Sequence, residues 1–223
     1  ASSAGINGGG APVNNNGGGG TTTPTGAFAK GSITSIAAGA VTVNGVAVTT
    51  TGAQIVVDDN PGVESDLRVG QVVNVQGTVN TAGAITATRL SFNSDLEGPV
   101  ASINVAGLSL VVLGQTVFIN GSTVFDNSSL PNGFASLATT DVVEVSGFRN
   151  TNGDLVATRI EKRTGAAGPF EVNGTVTNLN TTNSTFNLGS LAVAYGSAVI
   201  TNGSVAANAC VEVTCVVDRN GIT

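Results

Sequence analysis

The 223-residue sequence contains no histidine, no tryptophan and no methionine. Without histidine the chain lacks the commonest general base and the commonest protein ligand of transition metals, and a Ser-His-Asp triad is excluded. No pattern among the other residues places a nucleophile beside a base. We therefore expect a protein that is not an enzyme.

Charged residues are also scarce, at 10% of the chain against about 25% in an ordinary globular protein. The eight basic residues are scattered singly and the formal net charge is -6, so no cationic stripe is available for a phosphate backbone. Nucleic acid is therefore not an expected partner. No apolar run reaches the ~20 residues of a membrane-spanning helix, so no membrane span is expected either.

Cysteine is limited to Cys210 and Cys215, both within the run CVEVTCVV. In a regular strand this odd spacing places the two side chains on opposite faces, and a rise of ~3.3 Å per residue puts them too far apart to bridge. Two buried or free thiols are the first interpretation. A local disulfide, which requires a bend in the strand, and an intermolecular pairing are the alternatives.

What the chain does have is short runs of β-branched residues separated by Asn-Gly and other glycine-containing turns. This pattern is typical of antiparallel β-structure, and we expect an all-β fold. Residues 1–25 differ, because they are rich in glycine, asparagine and threonine and have few apolar side chains. They predict a flexible leader. The first residues, Ala1 to Gly5, look like a terminus left by signal-peptide removal, which predicts an extracellular or cell-surface protein.

The rest of the chain repeats itself three times. Each block opens with a glycine at its second position and apolar residues at alternate positions, as a half-buried strand requires. The openings are KGSITSI (Lys30–Ile36), EGPVASI (Glu97–Ile103) and NGTVTNL (Asn173–Leu179). These blocks predict three tandem β-domains, at 26–92, 93–163 and 169–223.

The last strand of a block is the clearest repeated feature, GAITATRL at 83–90 and GDLVATRI at 153–160. In the third block only Gly221, Ile222 and Thr223 stand at this place. The third domain is therefore expected to be incomplete and to expose a strand edge. Such an edge is a template for a strand from another chain.

The opening glycine, the Val-Asn-Gly hairpin and the segment VGQVVNVQGTVN followed by AGAITATRL resemble a family of small exported bacterial domains of unknown function, often found in lipoproteins. The resemblance covers nearly everything after residue 26. It implies a small antiparallel barrel similar to the OB-fold, and it brings no active site to transfer. A barrel of about five short strands agrees with the length of each block.

An acidic segment, DDNPGVESD, begins at Asp58. The carboxylates of Asp58, Asp59 and Asp66 are of the kind that calcium prefers. Their spacing fits no EF-hand loop, so a solvated turn is the expected structure, with calcium as a weak candidate and no other cofactor.

Two functions are compatible with these features. The first is a structural subunit that polymerises with itself into a filament or layer by strand complementation. The third domain, at Ile222 and Thr223, would accept the leader of the next subunit, and this head-to-tail contact would propagate. The apolar residues available to the donor are Ala4, Ile6, Ala11 and Val13. The alternative is a monomeric, lipoprotein-like tethered module that binds a glycan, a small ligand or a protein.

Overall fold

The computed structural model describes residues 25–164, 169–215, 217–218 and 221–222. These residues form strands, turns and two short 3₁₀ helices, so the all-β prediction is confirmed. Neither of these described helices is of a length and hydropathy that would cross a membrane. The chain divides into two compact units between Asn93 and Ser94. The predicted donor residues Ala4, Ile6, Ala11 and Val13, and also Thr223, lie outside the described residues.

In the first unit, residues 25–93 are described, and they form seven strands with a 3₁₀ helix at Glu64–Asp66 after the fifth. The strands are β1 (Thr25–Ala37), β2 (Ala40–Val43), β3 (Val46–Thr49), β4 (Gln54–Val57), β5 (Asn60–Gly62), β6 (Val72–Val79) and β7 (Ile85–Phe92).

Five of these strands close into a ring. β1 lies between β2 and β6, β2 pairs with β3, and β6 pairs with β7, all antiparallel. A parallel pairing of β3 with β7, at Val48 opposite Ile85, joins the two ends of this series. The ring is a small five-stranded barrel of the OB-like kind that the resemblance implied. β4 runs parallel to the second half of β7 and forms a hairpin with β5.

The core of the barrel comes from strand alternation. In β7 buried residues alternate with exposed or half-buried ones, and the phase shifts by one residue between Ala87 and Leu90, where the strand bulges. β-Branched and aliphatic side chains fill the interior, and the largest include Ile33, Val48, Val73, Leu90 and Phe92. Each fully buried side chain of this size contributes about 1.5–3 kcal/mol relative to its exposed state.

The described residues of the second unit form twelve strands, with a 3₁₀ helix at Gly133–Ser136. They are β8 (Leu96–Asn104), β9 (Ser109–Val112), β10 (Gln115–Phe118), β11 (Val124–Phe125), β12 (Val142–Arg149), β13 (Leu155–Lys162), β14 (Phe170–Asn180), β15 (Thr185–Leu188), β16 (Leu191–Ala194), β17 (Cys210–Cys215), β18 (Val217–Asp218) and β19 (Gly221–Ile222).

The second repeat closes in the same way as the first. β8, β9, β10, β13 and β12 form the ring, and the parallel pairing of β10 with β13, at Val117 opposite Leu155, completes it. The third repeat contributes β14 to β17, in which β14 pairs with both β15 and β17. Ile222, a predicted interface residue, lies opposite Val217 in the β18–β19 hairpin.

The second and third repeats, predicted as domains at 93–163 and 169–223, are not separate compact units in the structure. The second and third repeats lie in one compact unit, 94–223, because β14 pairs with β8 as well as with its own strands. Their apolar side chains join a single cluster that includes Leu96, Val112, Val172 and Leu188. A small repeat has little core of its own, and sharing one with a neighbour increases the fraction of its surface that is buried.

A glycine is required where the last two strands of a repeat bulge. The register between β6 and β7 shifts at Gly77, and the register between β12 and β13 shifts at Gly147. A Cβ atom on Gly77 would lie 2.9 Å from Cα of Ala87 and still closer to the carbonyl oxygen of Thr86. The backbones can therefore approach only if this side chain is absent. In the third repeat the corresponding position of β17 is Cys215.

Replacing Gly77 with alanine should lower the free energy of unfolding by about 1–3 kcal/mol, because the methyl group forces the two strands apart. Scanning calorimetry of the full chain measures the loss. Gly26→Ala in β1 is the matched control, since a Cβ atom there meets nothing within 4 Å. Equal effects of the two substitutions would contradict the steric argument.

Candidate functional site

The second and third repeats meet along a strand edge, and this joint is the strongest candidate site. β8 and β14 run antiparallel, with Leu96 opposite Val172 and Glu97 opposite Glu171. The backbone N–H of Asn173 donates to the carbonyl oxygen of Asp95 at 3.1 Å. Two barrels are thus joined by the same backbone hydrogen bonds that hold each barrel together.

The joint has a local two-fold relation. Leu96 and Val172 stand two residues before the opening glycines Gly98 and Gly174, so the same position of each repeat faces its counterpart. The hairpin turns obey the same relation. Gly114 ends the β9–β10 turn and Ser190 ends the β15–β16 turn, and the backbone N–H of Ser190 donates to the carbonyl oxygen of Gly114 at 3.3 Å. The contact is therefore self-complementary, as in an isologous dimer.

Two polar side chains of the second repeat close the joint. Gln115 is only 3% exposed, and its Nε2 donates to the carbonyl oxygen of Leu188 at 2.6 Å. The Arg149 guanidinium donates to the carbonyl oxygen of Asn173 and, at 3.1 Å, to Oε1 of Gln115. The bonds from Gln115 and Arg149 each satisfy a carbonyl oxygen of the third repeat, and the bond between Arg149 and Gln115 orients the Gln115 amide.

The first repeat carries apolar residues where these two donors stand. Val46 and Val79 are the first residue of β3 and the last residue of β6, the places that Gln115 and Arg149 occupy in β10 and β12. Of the first two repeats, only the second therefore carries the donors that reach the third. The sequence signal for this joint was a polar residue in the second repeat at a position where the first repeat has valine. That signal was missed, because it emerges only when the repeats are compared position by position.

A polar groove of about 450 Å³ lies beside Arg149. Burial lowers the pKa of this guanidinium, while the charges of Asp95 and Asp154 oppose the shift. Hydroxyl, amide and carboxylate groups surround it, from Thr151, Asn152, Asp154, Thr175, Thr177 and Ser190. Most small-molecule pockets are lined chiefly by apolar side chains, so this groove better fits a hydroxyl-rich or water-mediated contact.

A row of four glutamates crosses the sheet next to the joint. Glu171, Glu97, Glu144 and Glu161 are directly opposite one another on β14, β8, β12 and β13. Like charges opposite one another on adjacent strands are destabilising. Arg163 compensates, because its guanidinium lies 3.1 Å from Glu144, 3.4 Å from Glu97 and 3.9 Å from Glu161. Burial lowers the pKa of Arg163, but these three carboxylates outweigh that effect and raise it.

The two cysteines do not meet. Cys210 is exposed and Cys215 is buried, and both are free thiols on β17. β17 runs through both residues without a bend that would bring the two sulfur atoms together. Burial, and then the charge of Glu171, raise the pKa of Cys215.

The acidic segment ties loops together instead of forming a cation cage. Asp58 and Asp59 make the β4–β5 turn with φ of 46° and 59°, and Asp66 accepts the backbone N–H of Val63 at 2.8 Å. Within the described ranges there is no group of three or more cysteine, aspartate or glutamate side chains arranged to hold a metal ion. Glu64 accepts the Thr50 hydroxyl and the Gly39 N–H, which lower its pKa.

The family comparison places a known domain on the first two repeats. The family described as "Domain of unknown function (DUF5666)" matches residues 30–91 and 97–161. No curated protein and no solved structure matches the chain at a significant level. The matched ranges agree with the predicted repeats, and the expected tandem of a domain of unknown function is confirmed.

Replacing Gln115 with valine, the residue of the first repeat, should lower the free energy of unfolding by about 1–3 kcal/mol, since the buried Leu188 carbonyl loses its donor. Arg149→Met should act in the same direction. Arg89→Met is the control, because that guanidinium bonds the Gln54 amide in a half-exposed place and should change stability by about 0.5 kcal/mol or less. Urea unfolding with amide hydrogen exchange at Asn173 checks this, and unchanged exchange there would contradict it.

Arg163→Met should lower the melting temperature at pH 7, because Glu97, Glu144 and Glu161 lose the cation that faces all three. Arg163 is 45% exposed, so the effect is about 1 kcal/mol and not that of a buried pair. The deficit should shrink at about pH 3, because protonation removes the carboxylate charges that raise the pKa of Arg163. Melting curves at the two pH values, with Arg89→Met alongside, measure it. A deficit that is independent of pH would contradict the electrostatic explanation.

Proposed function

We propose, from the premise that the chain belongs to the DUF5666 family, that it is a non-catalytic structural subunit which assembles with copies of itself into a filament or layer. The assembly lies outside the cell or on its surface. The single observation that carries the proposal is the β8–β14 joint, in which one repeat binds another through its strand edge.

Strand pairing suits a structural subunit because its energy comes from backbone groups that every copy presents. Strand pairing requires no catalytic group and no ligand. Edge strands join in this way in many assemblies. The low content of charged residues also reduces repulsion between packed copies. The absence of histidine is consistent with a role that involves no acid–base chemistry.

The third repeat offers a second joint. Cys215 replaces the bulge glycine, so a strand that approached β17 as β7 approaches β6 would meet its Cβ atom. A strand from another subunit, in a different register, avoids this contact. In our proposal the donor is the leader of the next subunit, through Ala4, Ile6, Ala11 and Val13, and it lies beside β17 near Ile222 and Thr223.

The groove beside Arg149 favours a second function, that of a tethered binding module. Its hydroxyl and amide groups, together with a partly desolvated guanidinium, match the hydroxyl and carboxylate groups of an acidic glycan. In that case the chain would remain monomeric and the leader would act as a tether.

Negative-stain electron microscopy and sedimentation velocity over a wide concentration range separate the two functions. A structural subunit should form regular filaments or layers that grow with concentration. Deleting residues 1–24 should abolish their growth, whereas scrambling residues 14–20, which include none of the four apolar donor residues, should not. A chain that stays monomeric at every concentration would overturn the structural proposal and favour the binding module.

A further inference from the structure

The N-terminal half of β1 presents an open strand edge. β1 pairs with β2 only from Ile33 onward, while its other side pairs with β6 along residues 25–32. Asn44 covers the first exposed groups on the β2 side, since its Oδ1 accepts the Ser32 N–H and its Nδ2 donates to the Lys30 carbonyl. Among the described residues, no strand pairs with this side of β1 before Ile33.

Backbone and side chains at this edge are both available. Backbone groups two residues apart point to the same side of a strand, so those of Phe28 and Lys30 point the same way as those of Ser32. On the outer face of the barrel Phe28 is 49% exposed and Lys30 is exposed, while Ala29 between them is buried. A large aromatic side chain thus lies in solvent beside backbone groups of Phe28 with which no described strand pairs.

The same three positions form the joint in the second unit. Counting back from the opening glycines, Phe28, Ala29 and Lys30 correspond to Asp95, Leu96 and Glu97 and to Glu171, Val172 and Asn173. In the second unit these positions pair with each other, the central residues face to face. β8 and β14 thus occupy one another's edges.

We propose that the β1 edge pairs with the β1 edge of a second copy of this chain, in the two-fold arrangement of β8 with β14. Ala29 then lies opposite Ala29 of the second copy. The Lys30 N–H donates to the Phe28 carbonyl oxygen of the second copy, as the Asn173 N–H does to Asp95. This inference deepens the proposed function by naming one of its joints, and it rests on that function.

The side chains complement one another across this axis. Each Phe28 faces Lys30 of the second copy, once on each side, so an ammonium group lies near each exposed ring. The hairpin turns are also compatible with this arrangement. Gly45 occupies the turn position at which Gly114 and Ser190 contact each other in the second unit. Nothing lies within 4 Å of a Cβ atom built on Gly45, so there is room for the turn of the second copy. An isologous contact closes on itself, so this joint yields a dimer and a filament needs the second joint as well.

Phe28→Lys in the full chain tests the joint, because it places two lysines opposite each other on both sides of the axis. The dissociation constant of the dimer should increase by about tenfold or more. Adding Lys30→Glu to the same chain should restore association, since the two substituted positions would then face each other with opposite charges. Both positions are exposed, so the barrel should keep its melting temperature. Sedimentation velocity measures association, and slower amide exchange at Lys30 of the unsubstituted chain at high concentration locates it.

The outcomes separate this joint from the proposed function. Association that weakens with the single substitution and returns with the double one supports the inference. Association that is indifferent to Phe28→Lys overturns it and leaves the structural proposal standing. Dimers that respond as expected but never extend into filaments support the joint and overturn the filament. A chain that is monomeric at every concentration overturns both.

Discussion

The parallel pairing of the third strand of a repeat with its last strand is the contact on which the structure depends. Val48 opposite Ile85 and Val117 opposite Leu155 are the registers that close the two rings. Before closure a repeat is a twisted ribbon with two long edges, and afterwards it has an interior where alternate side chains are buried. Closure also determines which edges remain, because only the strand segments that extend beyond a neighbour keep unpaired groups.

The strand segments that extend beyond a neighbouring strand determine how the repeats associate. The first strand of each repeat is longer than its hairpin partner, so its N-terminal half has one open side. In the second unit the open sides of β8 and β14 pair with each other, and Gln115 and Arg149 secure the joint from one repeat. The first repeat has Val46 and Val79 at those places, so its open side lacks the two polar donors that secure the joint between the second and third repeats.

Sequence reasoning reached the strands, the turns and the repeats because these follow from local periodicity. Alternation in VVNVQG and the Asn-Gly turns are properties of a few neighbouring residues. The merger of the second and third repeats escaped it, because Leu96 and Val172 are far apart in sequence and nothing local marks them as partners. The glutamate row was equally invisible, since Glu171, Glu97, Glu144 and Glu161 come together only through strand register. The acidic loop was noticed for its density of carboxylates, yet its members face separate backbone groups.

By itself the sequence determined the all-β class, the tandem of a small barrel domain and the scarcity of groups for acid–base chemistry, because composition and period-two patterns suffice for these. Only the tertiary structure decided which strand edges are used. An edge is defined by what lies beside it, and the partners of β1, β8 and β14 depend on register and strand length across the whole barrel. Phe28 shows the difference: in sequence it is one more apolar residue of a strand, and in the structure it is an exposed ring beside an open edge.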